Sequence, residues 1–393
     1  MNTKKTFLIL FLVVFLVMVG FGIIIPVLPF LAENLGASPS ELGWLLAIYS
    51  IMQLFFSPIW GKISDRIGRK PVMFIGIIGL ALSFFIMAWA DSLWLLFVAR
   101  TLGGILSSAN IPTAMAYAAD ITSAKDRGKG MGIVGAATGM GFVFGPALGG
   151  IFSKVDLSFP FYLAALFSLF TAVLVLFVLK ESLNQSKNEI DPVPKRSVVE
   201  QLTSPLIWMF ILQLIVSLSM AGLEAMYAYY VHDKLGLFTV ELGYIFMVMG
   251  VASAVVQGVL VGKLSKRFGE GKVIQLGIFI SVIGFVLILF SVNFFTAALY
   301  LTIFGIGNSF IRPAMGALLT KTTTKDFGSI TGLNSSFDSF GRIIGPPLGG
   351  WLYEYAIGLP FIVGAVLTFM SLALYPIFML HMKKRNHVWI SGE

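Results

Sequence analysis

The strongest constraint on this chain is a succession of apolar stretches too long for a soluble fold. Six can be marked in the first half of 393 residues: Phe7 to Leu31, Leu42 to Trp60, Val72 to Ala90, Leu93 to Ala119, Met131 to Ser153 and Pro160 to Leu179. Six more follow: Leu206 to Val231, Leu242 to Leu264, Val273 to Val292, Phe294 to Thr320, Gly328 to Gly350 and Leu359 to Leu380. At about 1.5 Å per helical residue each can cross a hydrocarbon core of about 30 Å. A bilayer offers nothing to backbone N–H and C=O groups, so spans of this kind must be helices. With 57% hydrophobic and 12% charged residues, the chain reads as an all-α membrane protein of twelve transmembrane helices. The first span is too long, and lacks the small-residue cleavage site, for a secretory signal.

A formal charge of +8 would suggest a nucleic-acid partner if the charges formed one patch. They alternate with the spans instead. Of the 27 lysines and arginines, only Lys154 and Lys234 fall on one side, and Arg100, Arg312 and Arg342 fall inside spans. The rest share the other side, which puts both termini in the cytoplasm. The absence of cysteine excludes a disulfide framework and thiolate metal sites.

The chain is also an internal repeat. Ile111, Ala114, Met115, Thr122, Lys125, Asp126, Gly128, Gly132, Gly141, Gly145, Pro146, Leu148, Gly149, Gly150, Pro160 and Phe161 each recur about two hundred positions later. GKISDRIG from Gly61 is echoed by GKLSKRFG from Gly262. Two like halves in the same orientation are the parallel-repeat plan of transporters, with a site between them. The expected domains are a six-helix bundle over 1–180, a polar cytoplasmic linker over 181–204, a second bundle over 205–380 and a tail over 381–393. The sharpest repeated device is GMGFVFGPALGG, Gly139 to Gly150, whose five glycines let a neighbouring helix reach backbone contact and whose Pro146 bends the helix.

These residues resemble the major facilitator superfamily, and within it the twelve-helix drug:proton antiporters. Asp65, Arg66, Arg69 and Lys70 look like the family's loop between the second and third helices. Gly22, Pro26 and Pro29 resemble its first-helix pattern, and Arg100 with Gly103 and Gly104 its fourth. Gly141, Gly145, Pro146, Gly149 and Gly150 match its antiporter motif. Glu224 in SMAGLEAMYAYY, Arg312 in IRPAM and TGLNSSF from Thr331 look like Gram-positive multidrug exporters of the NorA and Bmr type. Those exporters place an acid in the tenth helix where this chain has Ser309, and Asp338 in the eleventh is its other interior carboxylate. The resemblance implies a bacterial cell-membrane protein, monomeric, that exchanges amphipathic drug-like molecules for protons.

The proton-coupling candidates are Glu224, Asp338, Arg342, Arg312 and Arg100, because ionisable groups inside a membrane are functional by default. Asp338 and Arg342 are four apart and able to pair. Arg100 and Arg312 either tune a carboxyl or bond carbonyls that Pro112 and Pro313 leave free. Candidate pocket residues are Phe15, Phe21, Tyr49, Phe142, Met220, Tyr227, Tyr230, Met249, Asn308 and Asn334; ordinary packing or lipid contact is the competing role for each. A conformational set comprises Asp65, Arg66, Arg69 and Asp120 with the glycine motif. There the resemblance favours a latch, in which Asp65 accepts from the N-terminus of the eleventh helix near Gly328 and Arg69 reaches Asp120, over a solvated orientation signal on a cytoplasmic loop. No metal site, P-loop or catalytic triad is formed, so neither cofactor nor enzyme activity is expected. Exporters of sugars, metabolites or anions, and a transporter-like receptor, are the alternatives.

Overall fold

A computed structural model describes residues 3–123, 126–183, 201–202, 204–322 and 327–390; side chains at 3–4, 127, 322, 327–328 and 383–390 are outside the description. Among the described residues every regular element is helical. The first six spans are α1 (Thr3–Asn34), α2 (Pro39–Ile67), α3 (Arg69–Ala88), α4 (Leu93–Asp120), α5 (Arg127–Phe152) and α6 (Phe159–Phe177). The second six are α7 (Ile207–Leu235), α8 (Thr239–Phe268), α9 (Glu270–Ile288), α10 (Phe294–Thr322), α11 (Phe327–Tyr355) and α12, built from Leu359–Ser371 and Leu374–Ile390. This is the expected twelve-helix plan. Eleven are both long and apolar enough to cross a membrane; α11 has the length, but carries Asp338, Arg342 and a run of serines.

Local chemistry sets several boundaries. Ser38 and Glu41 form a capping box at the start of α2, with Glu41 N donating to Ser38 Oγ at 3.2 Å and Ser38 N to Glu41 Oε2 at 2.8 Å. The fourth span is not the continuous helix expected. It breaks at Ser108 and Ala109, between Leu93–Ser107 and Asn110–Asp120, because Pro112 has no N–H for the Ser108 carbonyl. α12 breaks at Leu372 and Ala373, with Pro376 four residues beyond Leu372. α8 contains a π-helical turn at Val256–Leu260. α5 runs unbroken through Pro146.

The chain divides into two compact units, Met1–Ile190 with Tyr227–Gly250, and Asp191–Met226 with Val251–Glu393. In the first, α1 packs on α5 and α6, and α3 packs on α4 and α6. α5 lies against α1 through Gly141, Gly145 and Gly149, spaced four apart. A Cβ on Gly145 would lie 2.6 Å from Gly22 Cα, and one on Gly149 2.6 Å from the Ile23 carbonyl. Gly150 instead faces Thr239 and Gly243, and Ser153 Oγ meets Thr239 Oγ1 at 2.5 Å. Gly139 departs from expectation, with nothing within 4 Å of its Cβ position. Two residues from Gly141 is about 200° around a helix, so it points away from α1.

The second unit repeats these pairings. α9 packs on α10 and α12, and Gly341, Gly345 and Gly349 of α11 sit against Ser217, Leu218, Gly222 and Met226 of α7. Its core is Met209, Phe210, Ile278, Phe310, Ile311 and Phe378, among others. Large apolar side chains such as Phe177 (77%) and Phe295 (77%) stand exposed, the surface of a protein solvated by lipid. Of the expected linker 181–204, residues 184–200 and 203 lie outside the described residues, as do 391–393 of the tail; the last helix continues to Ile390.

Candidate functional site

The second unit holds a polar cluster inside its spans. Asp338 is three residues before Gly341 and therefore on the face of α11 that meets α7. The glycine stripe lets those backbones touch, which places the carboxylate against two α7 side chains four residues apart. Its Oδ1 accepts from Gln213 Nε2 at 2.8 Å and from Ser217 Oγ, and Gln213 Nε2 also donates to Ser217 Oγ at 2.9 Å. From α10, Arg312 Nη2 donates to the same oxygen at 2.9 Å. Within α11, Arg342 Nε donates to Oδ2 at 3.1 Å, the pairing expected from their spacing. One carboxylate thus neutralises part of two guanidiniums. Their side chains are not sealed in, at 24% exposure for Asp338, 36% for Arg312 and 40% for Arg342.

Arg312 differs from one expectation, because it turns to a carboxylate rather than a carbonyl near Pro313. Its Nε is buried with no acceptor among the described residues. Ser309, the tenth-helix position where the resemblance implies an acid in other exporters, donates to Gly305 O of its own helix at 2.7 Å. Asp338 therefore brings a carboxylate to α10 from the neighbouring helix. Glu224 lies seven residues beyond Ser217, on the same face of α7 and about 10 Å along it. It is half-buried, has no hydrogen-bond partner among the described residues, and lies within electrostatic reach of Arg342, Arg312 and Asp338. Asn308 is buried, Asn334 Oδ1 is buried without a partner among the described residues, and Met220 is half-buried. Sequence reading missed Gln213 and Ser217; their spacing of four on one apolar helix was the available signal.

In the first unit, Gly103 and Gly104 of α4 admit Ser83 and Tyr49, a Cβ on Gly104 lying 2.8 Å from the Tyr49 carbonyl. Arg100 is buried there, its guanidinium 4.5 Å from the Tyr49 ring centroid and its Nε donating to Leu45 O at 3.4 Å. The acceptor belongs to α2, not to the carbonyl that Pro112 leaves free. Tyr49 OH pairs with Ser107 Oγ at 2.8 Å, and Phe21 meets the Tyr49 ring edge-on at 5.6 Å. Phe15 stacks on Phe11 and meets Phe144, while Phe142 is exposed and Met249 half-buried. Tyr227 is buried edge-on against Phe246, and buried Tyr230 accepts from Lys234 Nζ at 2.8 Å.

At the α2–α3 turn, Gly68 adopts φ +112°, open to glycine, and α3 begins at Arg69. The Arg69 guanidinium donates to Asp120 Oδ2 at 3.0 Å, as expected, and also to Ser64 Oγ at 2.7 Å and Asp65 Oδ1 at 2.5 Å. Arg66 is exposed. The expected contact of Asp65 near Gly328 lies outside the described side chains. Glu181, read from sequence as linker, accepts from the backbone N–H of Arg69 (2.9 Å), Lys70 (3.1 Å), Ser182 (2.9 Å) and Leu183 (3.0 Å). Burial opposes its ionisation, but these four donors outweigh burial and hold its carboxyl below the ordinary value of 4.5. No group of metal-ligating side chains occurs among the described residues.

The comparisons follow the same outline. The chain is 32% identical over 381 residues to Multidrug resistance protein 2 of Bacillus subtilis (strain 168), covering 95% of each chain. It is 28% identical to the Quinolone resistance protein NorA of Staphylococcus aureus (strain MSSA476), over 91% of this chain and 92% of that protein. Its fold matches a bacterial homologue of the human lysosomal transporter Spinster in an inward-facing, occupied conformation, with TM-score 0.81, 15% identity and 97% of each chain covered. The profile of the Major Facilitator Superfamily matches residues 10–270 and 240–389. A chain matched over nearly its whole length, with the fold to go with it, belongs to the Major Facilitator Superfamily.

Proposed function

We propose that this protein is a proton-coupled exporter of amphipathic drug-like compounds, working by alternating access with both termini in the cytoplasm. The observation that carries the reading is the near full-length similarity to Multidrug resistance protein 2. Glu224 supports the coupling. A membrane-embedded carboxyl without a hydrogen-bond partner among the described residues is available to a proton or to a cationic ligand. Asp338, by contrast, already accepts from two arginines, a glutamine and a serine. It serves as their counterion, and Glu224 is the proton carrier. A proton delivered to Glu224 from outside removes the charge that holds a lipophilic cation, and its release inside restores it.

Everted membrane vesicles test this reading. Uptake of a fluorescent lipophilic cation should follow an imposed pH gradient and stop when the gradient is collapsed. Uptake indifferent to the gradient would remove proton coupling. Glu224→Gln should abolish gradient-driven uptake while the protein still reaches the membrane; undiminished uptake by that variant would transfer the role elsewhere. A growth-inhibition panel in an efflux-deficient host identifies the compounds.

A further inference from the structure

Three consecutive residues just beyond α6, Lys180 to Ser182, grip the first unit at one edge. Lys180 O accepts from Tyr117 OH at 2.8 Å, Glu181 accepts from the first two amides of α3, and Ser182 Oγ donates to Asp120 Oδ2 at 3.1 Å. The last contact is with the same oxygen that Arg69 Nε reaches at 3.0 Å. Glu181 therefore fixes the backbone of Arg69 while the next residue braces the side-chain partner of Arg69. The Arg69 side chain is only 10% exposed, whereas that of Asp65, at its far end, is 62% exposed.

The second half shows that this clamp is not needed to build the turn. Gly269 repeats Gly68 with φ +83°, and Glu270 at the start of α9 pairs with Lys321 at the end of α10 at 2.5 Å. That is the Arg69–Asp120 link with its charges exchanged. Among the described residues no carboxylate from another segment caps the α9 amides there; that of Glu270 accepts from its own backbone N–H. Instead the Tyr375 ring of α12 packs at Gly271. The same turn and the same helix-to-helix link thus exist without a clamp. The extra element in the first half is one that aims Arg69 at Asp65.

We propose that Glu181 is a positioning residue for the conformational step of transport. By capping α3 it holds the Arg69 guanidinium between Ser64, Asp65 and Asp120, and so sets the position from which Asp65 acts. Its consequence for transport rests on the exporter reading above; the clamp itself does not.

The experiment pairs two readouts on the full chain. In purified wild type and Glu181→Gln, hydrogen exchange at the Arg69 and Lys70 amides should quicken about tenfold or more in the variant; unchanged exchange would overturn the clamp. In vesicles, Glu181→Gln should lower the maximal transport rate several-fold with the substrate KM unchanged, and Glu181→Asp should recover part of the rate. In an Asp65→Asn background, adding Glu181→Gln should cost no further rate, because both act through Arg69. Independent, multiplicative losses would make Glu181 a merely structural cap and overturn the positioning role. If exchange quickens while the wild type moves no compound, the exporter reading fails and the clamp stands.

Discussion

Replacing Gly145 by alanine tests whether the glycine stripe sets the distance between α1 and α5. The new Cβ would stand 2.6 Å from Gly22 Cα and 2.7 Å from the Val19 carbonyl oxygen. Carbon–carbon contacts settle at about 3.5–4.0 Å, so the two helices must part by about 1 Å. Both obstacles are backbone, and no side chain can turn aside. Overpacking of this kind costs about 1–3 kcal/mol. Alanine also returns about 1 kcal/mol by replacing a glycine inside a helix, which masks part of that cost. Gly139→Ala isolates the masking gain, since nothing lies within 4 Å of its Cβ position on the same helix. The difference between the two variants reads packing alone. Gly145→Ala should be less stable than Gly139→Ala by about 1–3 kcal/mol, or about 1–4 °C in apparent Tm for a chain of 393 residues. Thermal unfolding in detergent, followed through the fluorescence of the 7 tryptophans, measures it. Equal melting temperatures would refute the close-contact argument.

Two further outcomes follow from the polar clusters. Asp338→Asn removes the carboxylate that Arg312 and Arg342 share; with partial exposure moderating the loss, stability should fall by about 2–3 kcal/mol, and a change within about 0.5 kcal/mol in the same unfolding assay would mean that the ion pairs are dispensable. Because the folded-state pKa of Glu181 is depressed, its contribution is fully present above the unfolded glutamate value and is lost as pH falls through the lower folded value. The stability of wild type should therefore drop relative to Glu181→Gln as pH is lowered below about 4.5, and parallel pH profiles for the two proteins would contradict the shift.

Much of the molecule is legible from the sequence because a bilayer leaves few choices. Span length gave the twelve helices, the fixed spacing of Asp338 and Arg342 gave their pairing, and the echo of one half in the other announced two like sets of helices. Pro112 and Pro376 are legible as missing donors, yet Pro146 has the same defect without interrupting α5, so a broken helix depends on its neighbours as well as on the proline. What the sequence could not say is which glycine faces a helix and which faces open space; Gly139 and Gly141 look alike until a partner is placed beside one of them. Nor could it say that Asp338 would collect Arg312 from α10 and Gln213 and Ser217 from α7, or that Glu181, in a polar stretch, would cap a helix 112 residues away. Periodicity and span length act along one helix and are written in order. Counterions, caps and backbone contacts act across helices, and only tertiary packing decides which side chains arrive within 3 Å of one another.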